Sequence, residues 1–179
     1  MYNTDKYVIQ ENDMKTLFLA GGCFWGAQRF FDQFDGVKNT EVGYANGPTE
    51  SPSYKDVCQS SGHAETVRVD FDENVIAPEK ILEYYFMIID PTSVNKQGED
   101  EGVQYRTGIY YLDPSLLPVI SAAYAAKEKE VGKPLAVEVK PLENFYTAEE
   151  YHQKYLVKNP TGYCHIAPWL LDLKKNGNA

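Results

Sequence analysis

The apolar positions of this chain switch repeatedly between a period of two and a period near 3.6, and the switches mark out its elements. Lys15-Thr16-Leu17-Phe18-Leu19 is short, apolar and rich in strand formers, and predicts a first strand. Ala27, Phe30, Phe31 and Phe34 then recur at i, i+3, i+4 and i+7, the stripe of an amphipathic helix. Gly21 and Gly22 mark the turn between the two. Val37 to Ala45 reads as a second strand leading into a loop, Asn46 to Tyr54, that is dense in turn formers and has no period. Val67, Val69 and Phe71 alternate with Thr66, Arg68, Asp70 and Asp72, a clean period of two. Pro78-Glu79 opens a helix with Ile81, Tyr84, Tyr85, Ile88 and Ile89 as its stripe and Asp90-Pro91 as its end.

A long polar loop, Thr92 to Gly102, delivers Gln104-Tyr105-Arg106 to the start of a strand running to about Leu112. Asp113-Pro114 gives an N-cap and a first-turn proline for a helix to about Glu130, with Leu116, Leu117, Ile120, Ala123 and Tyr124 inward. Leu135, Val137 and Val139 predict a further strand. Thr147-Ala148-Glu149-Glu150 has the form of a capping box and starts a short helix bearing Tyr151, His152 and Tyr155. From Asn159 the chain is irregular, and Cys164 lies in that stretch. Residues 1–14 show no sustained period and read as an N-terminal extension, with Met14 an alternative start; residues 15–179 read as one catalytic domain. The order β-α-β-β-α-β-α-β predicts an α+β two-layer sandwich around a split βαβ core, with a mixed sheet and long loops.

Composition narrows the function. A net charge of −9 argues against nucleic acid, whose backbone demands a basic face. No apolar run approaches the roughly 20 residues that span a bilayer, and the amino terminus lacks the pattern of a signal peptide. Three cysteines, an odd number, suit free or catalytic thiols in a reducing compartment, so a cytoplasmic enzyme is expected.

Candidate chemistry gathers around Ala20-Gly21-Gly22-Cys23-Phe24-Trp25-Gly26. The turn places Cys23 at or near the first residue of a helix, where unpaired amides and the helix dipole would stabilise a thiolate. The plainer alternative is a small buried filler. Glu65 shares parity with the inward set Val67, Val69 and Phe71, so its carboxyl is expected on the buried face. Burial would raise its pKa and make it a proton donor near neutral pH; a side chain turned to solvent is the alternative. Cys58 has neither a helix start nor a basic neighbour and reads as an inert structural cysteine. His63, in a Gly-flanked loop, is expected to make a structural hydrogen bond. Tyr54 reads equally as a lid over the core edge or as a site hydroxyl. Two rivals stay open: a cysteine hydrolase pairing Cys23 with His63 or His152, and a zinc-stabilised binding module using Cys58, His63, Cys164 and His165.

Seven blocks carry a family resemblance: Gly22-Cys23-Phe24-Trp25-Gly26, Gly43-Tyr44-Ala45-Asn46-Gly47, Tyr54-Lys55-Asp56-Val57, Gly62-His63-Ala64-Glu65, Gln104-Tyr105-Arg106, Tyr151 to Leu156 and Asn159 to His165. In this order they resemble the A-class peptide methionine sulfoxide reductases over residues 15 to 168. The resemblance implies a ferredoxin-like fold and reduction of the S-epimer of methionine sulfoxide, free or in proteins, for protein repair. It further implies a sulfenic acid on Cys23, protonation by Glu65, and Cys164 as the resolving thiol. Phe24, Trp25, Tyr54, Asp100 and Tyr105 would form the substrate site. Thioredoxin or another dithiol would reduce the Cys23–Cys164 disulfide directly, since no cysteine follows Cys164. No cofactor, metal, nucleic acid or membrane enters this expectation, and a monomer is expected.

Overall fold

The computed structural model describes residues 13–174. In chain order the elements are β1 (Met14–Ala20), α1 (Phe24–Phe31), β2 (Val37–Ala45), α2 (Tyr54–Cys58), β3 (Ala64–Asp72), α3 (Pro78–Met87), β4 (Lys96–Gln97), β5 (Asp100–Glu101), β6 (Gly108–Tyr111), α4 (Leu117–Val131), β7 (Glu138–Pro141), β8 (Phe145–Thr147) and α5 (Tyr155–Lys158). Six strands form one mixed sheet in the order β7-β6-β1-β3-β2-β8; β6 and β7 run parallel and the other neighbours antiparallel. β4 and β5 pair separately as a short hairpin. Among the described residues no helix is long and apolar enough to cross a membrane.

The alternation along the central strands decides which side chains meet the helices. Leu17, Leu19, Val42, Tyr44, Val67, Val69 and Phe71 join Phe30 and Phe31 of α1 and Ile81 and Tyr85 of α3 in one buried cluster. The opposite parity, Phe18, Ala20, Ala45 and Ala64, packs with Tyr110, Leu142 and Phe145. Phe34, just past the end of α1, stacks on Tyr84 of α3 with centroids 4.0 Å apart. Each fully buried side chain of this size contributes about 1.5–3 kcal/mol of transfer free energy, so α1 is firmly seated on the sheet. That seating fixes where its first turn lies.

Several expected elements form elsewhere. Tyr105 ends a 3-10 turn, Val103–Tyr105, and the strand begins only at Gly108. The cause is local: the Tyr105 N–H donates back to the Gly102 carbonyl at 3.0 Å, and the Tyr105 carbonyl accepts from Gly22 N–H at 3.2 Å instead of joining a ladder. The Thr147 capping box does not form. Thr147 pairs with Gly43 as part of β8, and its hydroxyl donates to Glu41 at 2.7 Å, so the sheet takes the residue that the cap needed. The helical turn starts later, at Glu150. Leu117 is 36% exposed, because a 3-10 turn over Pro114–Leu116 shifts the phase of α4. The last expected strand is displaced to Glu138–Pro141. α2 interrupts what reads as loop, started by a reciprocal Ser53–Asp56 capping box. Met14 belongs to β1 and pairs with Asp72; the rest of the expected extension, residues 1–12, lies outside the described residues.

Candidate active site

Gly22 makes the turn from β1 into α1 with φ +73°, a conformation that glycine adopts without steric cost. It leaves Cys23 as the N-cap of α1, in an extended conformation, with its side chain making no capping bond. The first amide of the helix, Phe24 N–H, donates to Glu65 Oε1 at 3.2 Å. Glu65 is 2% exposed and stands opposite Tyr44 in the β2–β3 ladder, on the helix side of the sheet, as its parity requires. Burial pushes its carboxyl up to about 8; the Phe24 amide pulls the other way, and Asp100 adds to the rise. The carboxyl is therefore neutral at pH 7.

The thiol does not behave as its helix position suggests. Cys23 is 7% exposed, and burial, then the nearby Glu65, hold it above the ordinary thiol range, against a hydrogen bond from the Trp25 amide. A helix terminus offers about 0.3–1 kcal/mol to an anion, or up to ~2 when partly buried, whereas removing a charge from water costs several. The expected resting thiolate is thus a thiol beside a neutral acid.

Two phenols face the same place. Tyr54 is the first residue of α2 and donates its N–H to Glu149 Oε2 at 3.0 Å. Burial, then Cys58, raise its phenol. Burial, then Glu65, Asp100 and Cys23, raise that of Tyr105. Both remain hydrogen-bond donors across the neutral range. Asp100 of β5 accepts from the Tyr163 hydroxyl at 2.9 Å and faces Cys23, Glu65 and Tyr105.

The two expected wall aromatics differ. Phe24 is 1% exposed and packs against Tyr44 and His152, so it is part of the core and not an open wall. Trp25 is half-buried, stacks on Tyr155 at 3.7 Å, and donates Nε1–H to His152 Nδ1 at 2.9 Å. Cys164 lies against the same helix: a Cβ at Gly26 would come within 2.9 Å of its Sγ. Gly26 is three residues beyond Cys23 and hence on the same helix face.

Cys58, expected to be an inert cysteine held in place, is exposed at the end of α2. His63 is fully buried under Gly47, with Nε2 3.0 Å from Thr49 Oγ1, the structural bond expected of it. With His63 held by Thr49 and His152 by Trp25, neither has a hydrogen bond to Cys23, which the hydrolase alternative needs. Among the described residues no group of three or more His, Cys, Asp and Glu could hold a metal ion.

Sequence reasoning misses Glu149, which accepts from the Tyr44 hydroxyl at 2.8 Å as well as from Tyr54 N–H and so ties α2 to the sheet. Its signal is present but points elsewhere, since a capping box puts the weight on Glu150. The pairing of Trp25 with His152 and Tyr155 spans 127 residues in the hydrogen bond alone and leaves no local signature.

The family model for peptide methionine sulfoxide reductase matches residues 15–176. A peptide methionine sulfoxide reductase MsrA of Lachnoclostridium phytofermentans is 53% identical over 163 residues, covering 90% of this chain and 98% of that one. The crystal structure of Mxr1 from Saccharomyces cerevisiae in reduced form superposes with a TM-score of 0.82 at 37% identity, covering 86% and 91% of the two chains. Mxr1 in complex with Trx2 superposes with a TM-score of 0.57 at 24% identity, covering 79% and 84%.

Proposed function

The chain belongs to the peptide methionine sulfoxide reductase family, and from that premise we propose that Cys23 and Glu65 together carry out the reduction. The Cys23 sulfur attacks the sulfoxide sulfur while Glu65 gives its proton to the sulfoxide oxygen. Tyr54 and Tyr105 donate hydrogen bonds to that oxygen as negative charge develops on it. The sulfur–oxygen bond of the substrate breaks, the hydroxyl passes to Cys23 as a sulfenic acid, methionine leaves, and the Cys23 proton returns to Glu65. Trp25 flanks the substrate's methyl group and Asp100 its polar side. Cys164 then attacks the Cys23 sulfur, a disulfide forms and water leaves.

One observation carries this reading: the Glu65 carboxyl, buried and pushed up to about 8 by that burial, accepts a hydrogen bond from the amide that follows Cys23. A thiol beside a neutral acid suits a reaction whose leaving oxygen must be protonated. Thioredoxin as the dithiol that reopens the Cys23–Cys164 bond is supported by the Mxr1–Trx2 complex. Repair of the S-epimer by a cytoplasmic monomer completes the proposal. The antiparallel run β6-β1-β3-β2, with α1 between its first two strands in sequence and α3 between its last two, supports a ferredoxin-like frame. A single-turnover assay tests the chemistry. With a peptide S-sulfoxide and no reductant, one methionine per protein and a Cys23–Cys164 disulfide are expected. A Cys164→Ser variant that recycles with thioredoxin as fast as the wild type would remove Cys164 from the scheme.

A further inference from the structure

Glu149 joins two walls of the site through separate oxygens. Its Oε1 accepts from the Tyr44 hydroxyl at 2.8 Å, and its Oε2 accepts from the Tyr54 amide at 3.0 Å. Tyr44 is fully buried in β2 and stands opposite Glu65 in the ladder, with its ring 5.8 Å from that of Phe24. Tyr54 opens α2, a helix of five residues whose buried side chain is Val57. Isolated helices shorter than about 12 residues are marginal in water, so α2 owes its place to its attachments. The turn that supplies Glu149 supplies a second one: three residues on, the His152 ring meets the Tyr54 ring edge-on at 4.4 Å. Backbone and ring of Tyr54 are thus both held by residues 149–152, and Glu149 fastens that turn to Tyr44.

We propose that Glu149 is a positioning residue for the reduction: its carboxylate sets the Tyr54 phenol at hydrogen-bonding distance from the oxygen that Glu65 protonates. The inference rests on the role given to Tyr54 above and adds no chemical step. Two donors must converge on one sulfoxide oxygen, yet Glu65 comes from β3 and Tyr54 from α2. Glu149 fixes their spacing, because it reaches from the Tyr54 amide to the cross-strand neighbour of Glu65. The grip needs a carboxylate. Both partners are donors, so both oxygens must accept, and an amide in the same place turns an NH2 group toward one of them. Burial opposes the charge, but the Glu149 amide, the Tyr44 hydroxyl, the Tyr54 amide and His152 hold the carboxyl below its ordinary range. It is therefore ionised at neutral pH. Burial, then Glu149, raise the Tyr44 phenol, which stays a donor. Tyr151, 55% exposed, is a third phenol beside the same carboxylate. A reacting group misplaced by 1 Å costs about 10²-fold in rate, so a tie of this kind acts on the chemistry without touching the substrate.

A double-mutant cycle tests the role. The measurement is single-turnover methionine release by the full-length protein from a peptide sulfoxide, over a range of peptide concentrations. Glu149→Gln is expected to lower the saturating rate roughly 10- to 100-fold, the effect of a donor displaced by up to about 1 Å. The half-saturating peptide concentration should change little, since the lost interaction is one made in the transition state. In a Tyr54→Phe background the same substitution should cost less than about twofold, because the group it positions is gone. Tyr44→Phe, which frees one oxygen of Glu149, should slow release by a smaller factor that also vanishes beside Tyr54→Phe. Equal slowing by Glu149→Gln in both backgrounds overturns the proposal and leaves Glu149 a structural tie. So does a Glu149→Gln protein that releases methionine at the wild-type rate. If Glu149→Gln does not fold, the Tyr44→Phe cycle decides by the same criterion, and losses that simply add overturn the proposal. Wild-type release by Tyr54→Phe alone would overturn the role of Tyr54, and this inference with it.

Discussion

Two sulfur atoms meet at the head of α1 on supports of opposite kinds. Cys23 sits at a strand-to-helix junction whose backbone is fixed on both sides: Ala20 pairs with Thr66 and Gly108, Gly22 N–H donates to the Tyr105 carbonyl, and Phe24 N–H is held by Glu65. Cys164 rides on residues 163–166, whose main chain enters no backbone–backbone hydrogen bond among the described residues. That stretch is anchored by side chains, with Ile166, Leu170 and Leu173 buried and Arg29 and Gln33 of the α1 region holding the Leu171 and Leu170 carbonyls. In the proposed chemistry the first thiol must present one geometry to the sulfoxide sulfur, and preorganisation does that. In the same proposal the second must approach, bond and be released, and a segment without ladder bonds can shift at small cost. Changes at the rigid junction should therefore fall on methionine release, and changes at the C-terminal segment on disulfide closure.

The largest effect is expected at the junction. Glu65→Gln keeps an acceptor for the Phe24 amide but removes the proton, and methionine release should slow by roughly 10²–10⁴-fold, with closure affected far less. Stopped-flow release against quenched thiol counting gives both numbers; equal slowing of the two would erase the contrast. For the wild type, release should decline as pH rises through about 8, where the carboxyl ionises.

The same substitution should flatten the dependence of stability on pH. The carboxyl ionises near 4.5 as a free group and near 8 when buried, so between those values the folded protein holds the proton more tightly than the unfolded chain. Its contribution is fully present below pH 4.5 and is lost as pH rises through 8. Between about pH 6 and 9 the wild type should lose on the order of 3 kcal/mol that the Glu65→Gln variant retains. Denaturant melts at the two pH values check this, and parallel losses in both proteins would place the carboxyl in water.

Gly26→Ala probes the contact between the two regions. Alanine gains about 1 kcal/mol of helix propensity over glycine, but its Cβ would lie 2.9 Å from Cys164 Sγ and 3.0 Å from Ile166 Cδ1. Those are side-chain atoms of the less constrained segment, so the segment should yield and the helix should not. Closure is expected to slow by about tenfold, a shift worth ~1.4 kcal/mol in the barrier, with the midpoint of thermal unfolding little changed. A loss of stability without a change in closure would show the segment to be as rigid as the junction.

What is legible in the sequence follows the same division. The junction is built from neighbours in the chain, so a Gly-Gly turn, a helical stripe and the parity of Glu65 are enough to locate it. Its electrostatics are not local, because the desolvation of Cys23 depends on how many distant side chains cover it, and the expected thiolate fails for that reason. The surroundings are tertiary and largely escape a reading of the sequence. α2 depends on one Ser53–Asp56 box inside an apparently irregular loop, β8 on a three-residue pairing with β2, and the Trp25–His152 bond on segments far apart in the chain. Thr147 illustrates a local signal overruled, since sheet pairing with Gly43 takes it out of the cap that its sequence advertises. Cys164 falls on an irregular stretch as its glycine and proline neighbours suggest, but nothing local says that it lies over Gly26.

The smallest expected effect lies in the tie that joins the segment carrying Cys164 to Asp100 of β5. Tyr163 is 44% exposed, and its hydroxyl donates to Asp100 Oδ2 at 2.9 Å. Burial, then the Asp100 carboxylate, push the phenol up to about 12, so the bond persists through the neutral range. A partly exposed hydrogen bond of this kind contributes about 0.5–1.5 kcal/mol. Tyr163→Phe should cost a fraction of that in stability, since water replaces the lost partner on both sides. Its kinetic effect should be more specific. The bond holds the residue before Cys164 against β5, and without it the thiol samples more positions away from Cys23. Closure is therefore expected to slow two- to five-fold, the rate equivalent of roughly 0.5–1 kcal/mol. Methionine release should change only to the extent that Asp100, relieved of its partner, shifts against the substrate. Faster closure in the variant would mean that the tie restrains Cys164 from its target, and that the segment is poised away from the reactive sulfur.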